Sequence, residues 1–236
     1  MISDESPELI TYHSSLITPI KHTMIFNSLA FFVFIGVFLP LYFSLKGRNR
    51  LLLCLSASYF FYGWWDWRFL SLIITSTLVD YYVGLKLENT TDQPKRKQLL
   101  VWSIIVNLGF LAFFKYFGFF TDSFIELASV FGWSPGWNTI NIILPVGISF
   151  YTFQSMSYTI DVYRKQIPVE PDLIRFATYI SFFPQLVAGP IVRARDFLPQ
   201  FKTDRKFEWT PVISGSGQVL WGFFKKVAVA DSLAPF

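Results

Sequence analysis

Charge is scarce in this chain. Asp, Glu, Lys and Arg make up 15% of 236 residues, whereas soluble globular domains carry about 25%. Histidine is nearly absent, with only His13 and His22, both ahead of the first apolar run. The single cysteine, Cys54, excludes an internal disulfide and any multi-cysteine metal site. It lies in an apolar run, where a small buried hydrophobe is the expected identity. Signatures of soluble enzymes are missing too. Gly147-Ile148-Ser149 lacks the glycine spacing of a nucleophile elbow. Ser214-Gly215-Ser216-Gly217 lacks the lysine of a phosphate cradle and reads as a flexible lead-in to a helix.

What is present is hydrocarbon. Hydrophobic residues make up 53% of the chain, with 28 Phe, 11 Tyr and 8 Trp. No charge occurs between Lys21 and Lys46, and further uncharged runs occupy Leu51–Trp65, Gln98–Phe114, Leu127–Ile160 and Phe176–Val192. A helix needs roughly 20 mostly apolar residues to cross a hydrocarbon core of about 30 Å. The predicted architecture is therefore all-α, a polytopic transmembrane helical bundle of about five to seven membrane segments. Spans are expected at Ile25–Leu45, Leu51–Trp65, Phe69–Leu87, Gln98–Phe120 and Ile140–Ile160. Leu51–Trp65 is short for a span and implies tilt or local thinning. The Trp64-Trp65-Asp66-Trp67-Arg68 cluster suits a reversal at the interface, and Thr121–Thr139 reads as amphipathic or loop. Residues 1–23 are polar and irregular; Met24 is the expected natural start, a short extracytoplasmic tail the alternative.

Basic residues set the threading. Lys46, Arg48 and Arg50, then Lys95, Arg96 and Lys97, then Arg164 and Lys165 occupy alternate loops, as five spans with the N-terminus outside require. This distribution marks topology rather than a nucleic-acid footprint. Leu173–Pro190 breaks the alternation, because the next loop again carries Arg193, Arg195, Lys202, Arg205 and Lys206. Pro184 and Gly189-Pro190 also interrupt its helix. Either the segment enters and returns to the same face, or it is a kinked span that violates the charge rule. Broken helices at membrane depth are tolerated where they pack in protein or line a watery cavity, which makes this segment the internal pointer to a functional cavity. A last segment, Val212–Phe236, begins another helix.

Polar groups at membrane depth usually face the bundle interior. Asp80 is expected to pair locally or with a neighbouring helix, Lys115 to snorkel, and Gln154 to hydrogen-bond between helices. Asp161-Val162-Tyr163-Arg164 reads as an interfacial anchor.

Two strings carry a resemblance. The first runs Leu144-Pro-Val-Gly-Ile-Ser-Phe-Tyr-Thr-Phe-Gln154, on through Ser157-Tyr158 to Asp161-Val162-Tyr163-Arg164. The second is Phe182-Phe183-Pro184-Gln185-Leu186-Val187-Ala188-Gly189-Pro190-Ile191 with Arg193 and Asp196-Phe197-Leu198. Supporting pieces are Ala57-Ser58-Tyr59-Phe60-Phe61-Tyr62 with Trp64-Trp65, Phe114-Lys115-Tyr116, Lys225-Lys226-Val227 and Ala230-Asp231. In this order they resemble the membrane-bound O-acyltransferase (MBOAT) family, in its bacterial alginate O-acetylation branch.

The resemblance implies residues 24–236 are the N-terminal part of an MBOAT transmembrane domain, ending before the catalytic half. The family's catalytic histidine lies in that second half. His13 and His22 match neither histidine motif, so no catalytic residue is expected here and the chain alone is expected to be inactive. Hydroxyl acylation needs a base near working pH, the role histidine suits. The implied reaction is O-acetyl transfer toward an exported polysaccharide such as alginate, in the cell's inner or plasma membrane. The implied donor, a co-substrate and not a bound cofactor, is acetyl-CoA or another activated acyl carrier. Implied partners are the lipid bilayer and a polysaccharide or acyl-accepting protein of an envelope-modification complex. No metal site and no nucleic-acid partner are expected. Tyr151, Gln154, Asp161, Arg164, Pro184, Gln185, Gly189, Pro190 and Arg193 are the expected lining of the substrate tunnel. From the residues alone, a polysaccharide or lipid transporter and a non-catalytic membrane scaffold remain open.

Overall fold

The computed structural model describes residues 24, 26–131, 144–186 and 189–233. Those residues form helices and connecting turns, with no strand among them. Residues 1–23, with His13 and His22, residues 132–139 of the loop expected before the fifth span and the first residues of that span lie outside them.

Helix α1 spans Leu29–Ser44, started by Ser28, whose hydroxyl accepts from the Phe31 N–H at 3.2 Å. Gly47 follows at φ +51°, a left-handed value that glycine adopts without strain, and opens α2, Gly47–Asp66. The Asp66 backbone is extended, and a tight 3₁₀ turn, Trp67–Phe69, leads into α3, Leu70–Asn89. Helix α2 is longer than the uncharged run that marks it. Arg48 and Arg50 lie inside it, so its 20 residues give about 30 Å and remove the shortness that demanded thinning. Charge ends an apolar run; it does not end a helix.

Helix α4, Gln93–Val130, extends past both ends of its expected span. Its 38 residues reach about 57 Å. It also takes in much of what reads from sequence as an amphipathic loop, because Thr121–Val130 has no proline or glycine to stop it. Helix α5 is Ile148–Tyr163, entered through Gly147. Gly47–Asn89 and Gln93–Val130 are the two described stretches long and apolar enough to cross a membrane, and α1 is a shorter apolar helix.

Helices α3, α4 and α5 pack together as the centre. Across α2 and α3 lies α6, Leu173–Ser181, capped by Asp172, whose carboxylate accepts from the Ile174 N–H at 2.9 Å. After a break at Phe182 come the short helix α7, Phe183–Leu186, then α8, Ala194–Phe197, and the 3₁₀ turn Leu198–Lys202. Helix α9, Trp209–Phe223, continues through a π-helical stretch, Phe224–Ala230, into α10, Asp231–Leu233. None of those residues is buried.

Side chains tie the basic loops to one another. Arg96, in the first turn of α4, donates to the Tyr163 carbonyl at 2.9 Å. Lys202 lies 3.9 Å from Glu170, and Asp204 lies 3.5 Å from Arg50 while accepting from the Gly47 N–H at 2.9 Å. The loops at 46–50, 88–98, 161–171 and 202–206 therefore share one end of the bundle. The segment between residues 172 and 202 leaves that end and comes back to it.

Candidate functional site

The break after Ser181 has a strict backbone account. A regular helix would place the Phe183 N–H on the Tyr179 carbonyl. Here the Phe183 N–H donates instead to the Ser58 hydroxyl of α2 at 3.2 Å. Pro184 has no N–H to give the Ile180 carbonyl. The freed Tyr179 carbonyl is met by two side-chain amides, Nε2 of Gln154 at 2.7 Å and Nε2 of Gln185 at 3.1 Å. A buried carbonyl left unmet would cost several kcal/mol, and the two glutamines supply the missing donors.

Two glycines set how closely the strings approach. Gly147 sits at φ +75°, and a Cβ there would overlap the Leu186 carbonyl oxygen. A Cβ on Gly189 would come within 2.6 Å of the Gln185 Cα, and the Gly189 N–H closes the turn on the Gln185 carbonyl at 3.0 Å. The Tyr179 hydroxyl donates to the Val192 carbonyl at 3.0 Å and ties down the returning chain. The Leu144–Gln154 and Phe182–Ile191 strings thus form one folded unit, with Gly147 against Leu186 and Gln154 beside Gln185.

Of the expected tunnel residues, this unit joins Gln154, Gln185 and Gly189. Gln154 and Gln185 are buried, whereas Pro184 and Pro190 are exposed on its outer side. Tyr151 is one turn before Gln154 and almost fully buried; its hydroxyl and the buried hydroxyls of Tyr62 and Thr77 have no hydrogen-bond partner among the described residues. Asp161 and Arg164 lie apart, at the basic end of α5, Asp161 half-buried and Arg164 exposed. Arg193 is exposed, its carbonyl accepting from the Asp196 N–H at 3.1 Å at the start of α8.

Two further clusters hold the unit in place. Asp80, with no exposed surface, accepts from the hydroxyls of Ser103 and Ser155 and from the Asn107 amide, the last at 2.8 Å. Asn107 in turn accepts from the Ser76 hydroxyl at 2.6 Å. One carboxyl thereby gathers α3, α4 and α5. At the basic end the Arg96 guanidinium donates to carbonyls of Leu87, Thr90, Val162 and Tyr163, closing the C-termini of α3 and α5 together. A cation there also suits the negative ends of two helix dipoles. Sequence reading treats Arg96 as a topology marker and leaves Glu170 unremarked, although Glu170 is buried and holds Arg175 at 2.6 Å. A signal for the Asp80 cluster does exist: Ser76 and Asp80, Ser103 and Asn107, Ser155 and Thr159 are each four residues apart, so each pair shares a helix face.

Among the described residues no group of His, Cys, Asp and Glu could hold a metal ion. What the arrangement offers is a rigid, broken-helix wall inside a helical bundle, with buried hydroxyls beside it.

No protein-family model matches the chain, and no solved structure does at a significant level. Curated relatives are informative. The chain is 41% identical over 214 residues to a probable alginate O-acetylase of Azotobacter vinelandii, covering 90% of this chain and 42% of that protein. It is 42% identical to the corresponding protein of Pseudomonas aeruginosa, covering 89% of this chain and 41% of the relative. A peptidoglycan O-acetyltransferase of Helicobacter pylori is 32% identical, covering 86% of this chain and 44% of the relative. The chain thus spans less than half the length of the relatives it matches. Over nine-tenths of its own length it is a relative of the alginate O-acetylases, as its resemblance to the membrane-bound O-acyltransferases implies.

Proposed function

We propose that this chain belongs to the machinery of membrane O-acetyl transfer, moving an acetyl group toward a hydroxyl of an exported polysaccharide. The observation that carries this reading is the similarity to O-acetylases of two different envelope polysaccharides, alginate and peptidoglycan, over most of the chain. Alginate is the favoured acceptor class, because those relatives are the more similar. Acetyl-CoA or another activated acyl carrier is the donor. A polysaccharide or an acyl-accepting protein receives the group in an envelope-modification complex.

In this reading five to seven segments lie in the inner or plasma membrane, with the N-terminus extracytoplasmic. The shared basic end faces the cytoplasm, in keeping with the positive-inside rule. The segment from α6 to α8 is re-entrant. Its support is that α6 has nine residues, about 14 Å against a core of about 30 Å, and that Glu170 and Lys202 meet at its two feet. The folded unit around Tyr179 then forms a wall of the acyl route, with Tyr151 and Tyr62 offering hydroxyl donors to a passing carbonyl. No described residue is assigned the base that removes the acceptor's proton.

The test is the alkali-labile acetate on exported polysaccharide in cells carrying the protein, against cells lacking it. The reading expects acetate that depends on the protein, and a severalfold fall for Gln185→Ala at unchanged membrane content. Equal acetate without the protein would sink the acetyl-transfer reading. Undiminished acetate in Gln185→Ala would remove the broken helix from the route.

A further inference from the structure

Helices α1 and α2 diverge around a groove of about 590 Å³, lined by side chains such as Val33, Val37 and Leu41 on one wall and Leu53, Ala57 and Trp64 on the other. The α1 wall repeats every fourth residue from Leu29 to Leu41, one ridge of the helix, and Val33 and Val37 are 61% and 58% exposed. Twelve residues of rise make the groove about 18 Å long, close to the depth of one leaflet, half of a roughly 30 Å core. Every side chain that lines the groove is apolar, from Leu29 and Val33 to Phe60 and Trp64, which suits a hydrocarbon chain.

Its chemistry is polarised. The Leu41 and Leu53 end opens toward the 46–50 loop, where Lys46 and Arg48 are exposed and the first turn of α2 carries no acid. The nearby acid, Asp204, is engaged by Arg50 at 3.5 Å and by the Gly47 N–H. Arg205, Lys206 and then Glu208 follow it in sequence, so Lys46, Arg48, Arg50, Arg205 and Lys206 outweigh the two acids at this end. At the far end the lining is Leu29, Phe60 and Trp64, with no charged side chain.

We infer that the α1–α2 groove holds one acyl chain of an anionic phospholipid from the leaflet beside the 46–50 loop, with its phosphate at Lys46 and Arg48. This rests on reading α1 as a membrane segment. The lipid is structural: it fills the seam between the two helices and ties it to the bilayer surface.

The 236-residue chain is reconstituted in nanodiscs of equal phosphatidylglycerol and phosphatidylcholine, and lipid retained after release is measured by native mass spectrometry. Retention should favour phosphatidylglycerol severalfold. The double variant Lys46→Gln, Arg48→Gln should bring the ratio near one while still retaining lipid. Val37→Trp, and independently Val33→Trp, should fill the groove and lower retention of both lipids. A wild-type ratio of one, or undiminished retention in both tryptophan variants, overturns the site. So does a dimer that Val37→Trp dissociates, which would give the groove to a second copy. Val33→Cys in a Cys54→Ala chain separates this from the reading beneath it. Reaction with a water-soluble maleimide in sealed proteoliposomes would place α1 outside the bilayer and overturn both. Protection without lipid retention overturns the lipid site alone.

Discussion

The helices around Asp80 and those around Phe183 are both tightly packed, yet different forces hold them. Near Asp80 the core includes Tyr151, Tyr158, Tyr179 and Phe176, and polar groups run through it: the Asp80 network, the Arg96 clamp and the two glutamines on Tyr179. Near Phe183 the core is apolar and rich in rings, with Met24, Cys54 and Ala57 between them. Phe34 and Phe38 meet the Phe183 ring edge-on at 5.1 and 5.2 Å, and Phe61 packs at 5.6 Å. The Ser58 hydroxyl is its polar link to the broken helix. In lipid, rings gain little by leaving hydrocarbon for other rings, so packing and hydrogen bonds must do the specifying. The polar core should thus fix which helices meet and in what register, while the aromatic core fills space and tolerates exchange.

That contrast can be broken by substitution, read as unfolding of the reconstituted protein. Gly147→Val should do most harm, about 3 kcal/mol or more, by combining a left-handed backbone with a Cβ against the Leu186 carbonyl. A variant that unfolds like wild type would mean that the two strings do not touch there. Asp80→Leu should follow at about 2 kcal/mol, since it strips acceptors from Ser103, Asn107 and Ser155. Asp80→Asn should lose less than half of that, because it keeps one acceptor oxygen. Arg96→Met should lose about 1–2 kcal/mol by freeing two helix ends, and faster hydrogen exchange should be confined to the C-terminal turns of α3 and α5. Phe34→Leu should have the smallest effect, at most about 1 kcal/mol, because neighbouring rings remain. An effect larger than that of Asp80→Leu would reverse the comparison.

The same division separates what the sequence discloses from what it hides. The all-helical fold of the described residues is legible because long uncharged runs leave few other folds open. The break at Pro184 is legible because proline removes a donor wherever it stands. Helix ends are less so: Arg48 and Arg50 interrupt hydropathy without interrupting α2, and α4 runs on to Val130 through residues that hydropathy alone reads as loop. The pairing of the two strings through Gly147 and Leu186 is a contact between segments 39 residues apart, and no local pattern encodes it. Gln154 and Gln185 are conspicuous as polar residues in apolar runs. Their joint target is a backbone carbonyl, and its vacancy follows only from tracing where the Phe183 N–H goes.

The shortness of α6 also bears on how the protein is made. Nine residues, followed by a break and four more, leave too many unmet backbone groups to enter lipid unaided. Ser58 on α2 and Gln154 on α5 supply partners for that break, and both precede it in the chain. If the segment is re-entrant, as proposed, it settles at depth only after those helices are inserted and adjacent. Biogenesis is thereby ordered: the hairpin of α2 and α3 and then α5 build a berth, and the broken helix is its late-arriving cargo. A defect in the early helices would leave Leu173–Leu186 stranded at the membrane surface, a ready signal for quality-control proteases.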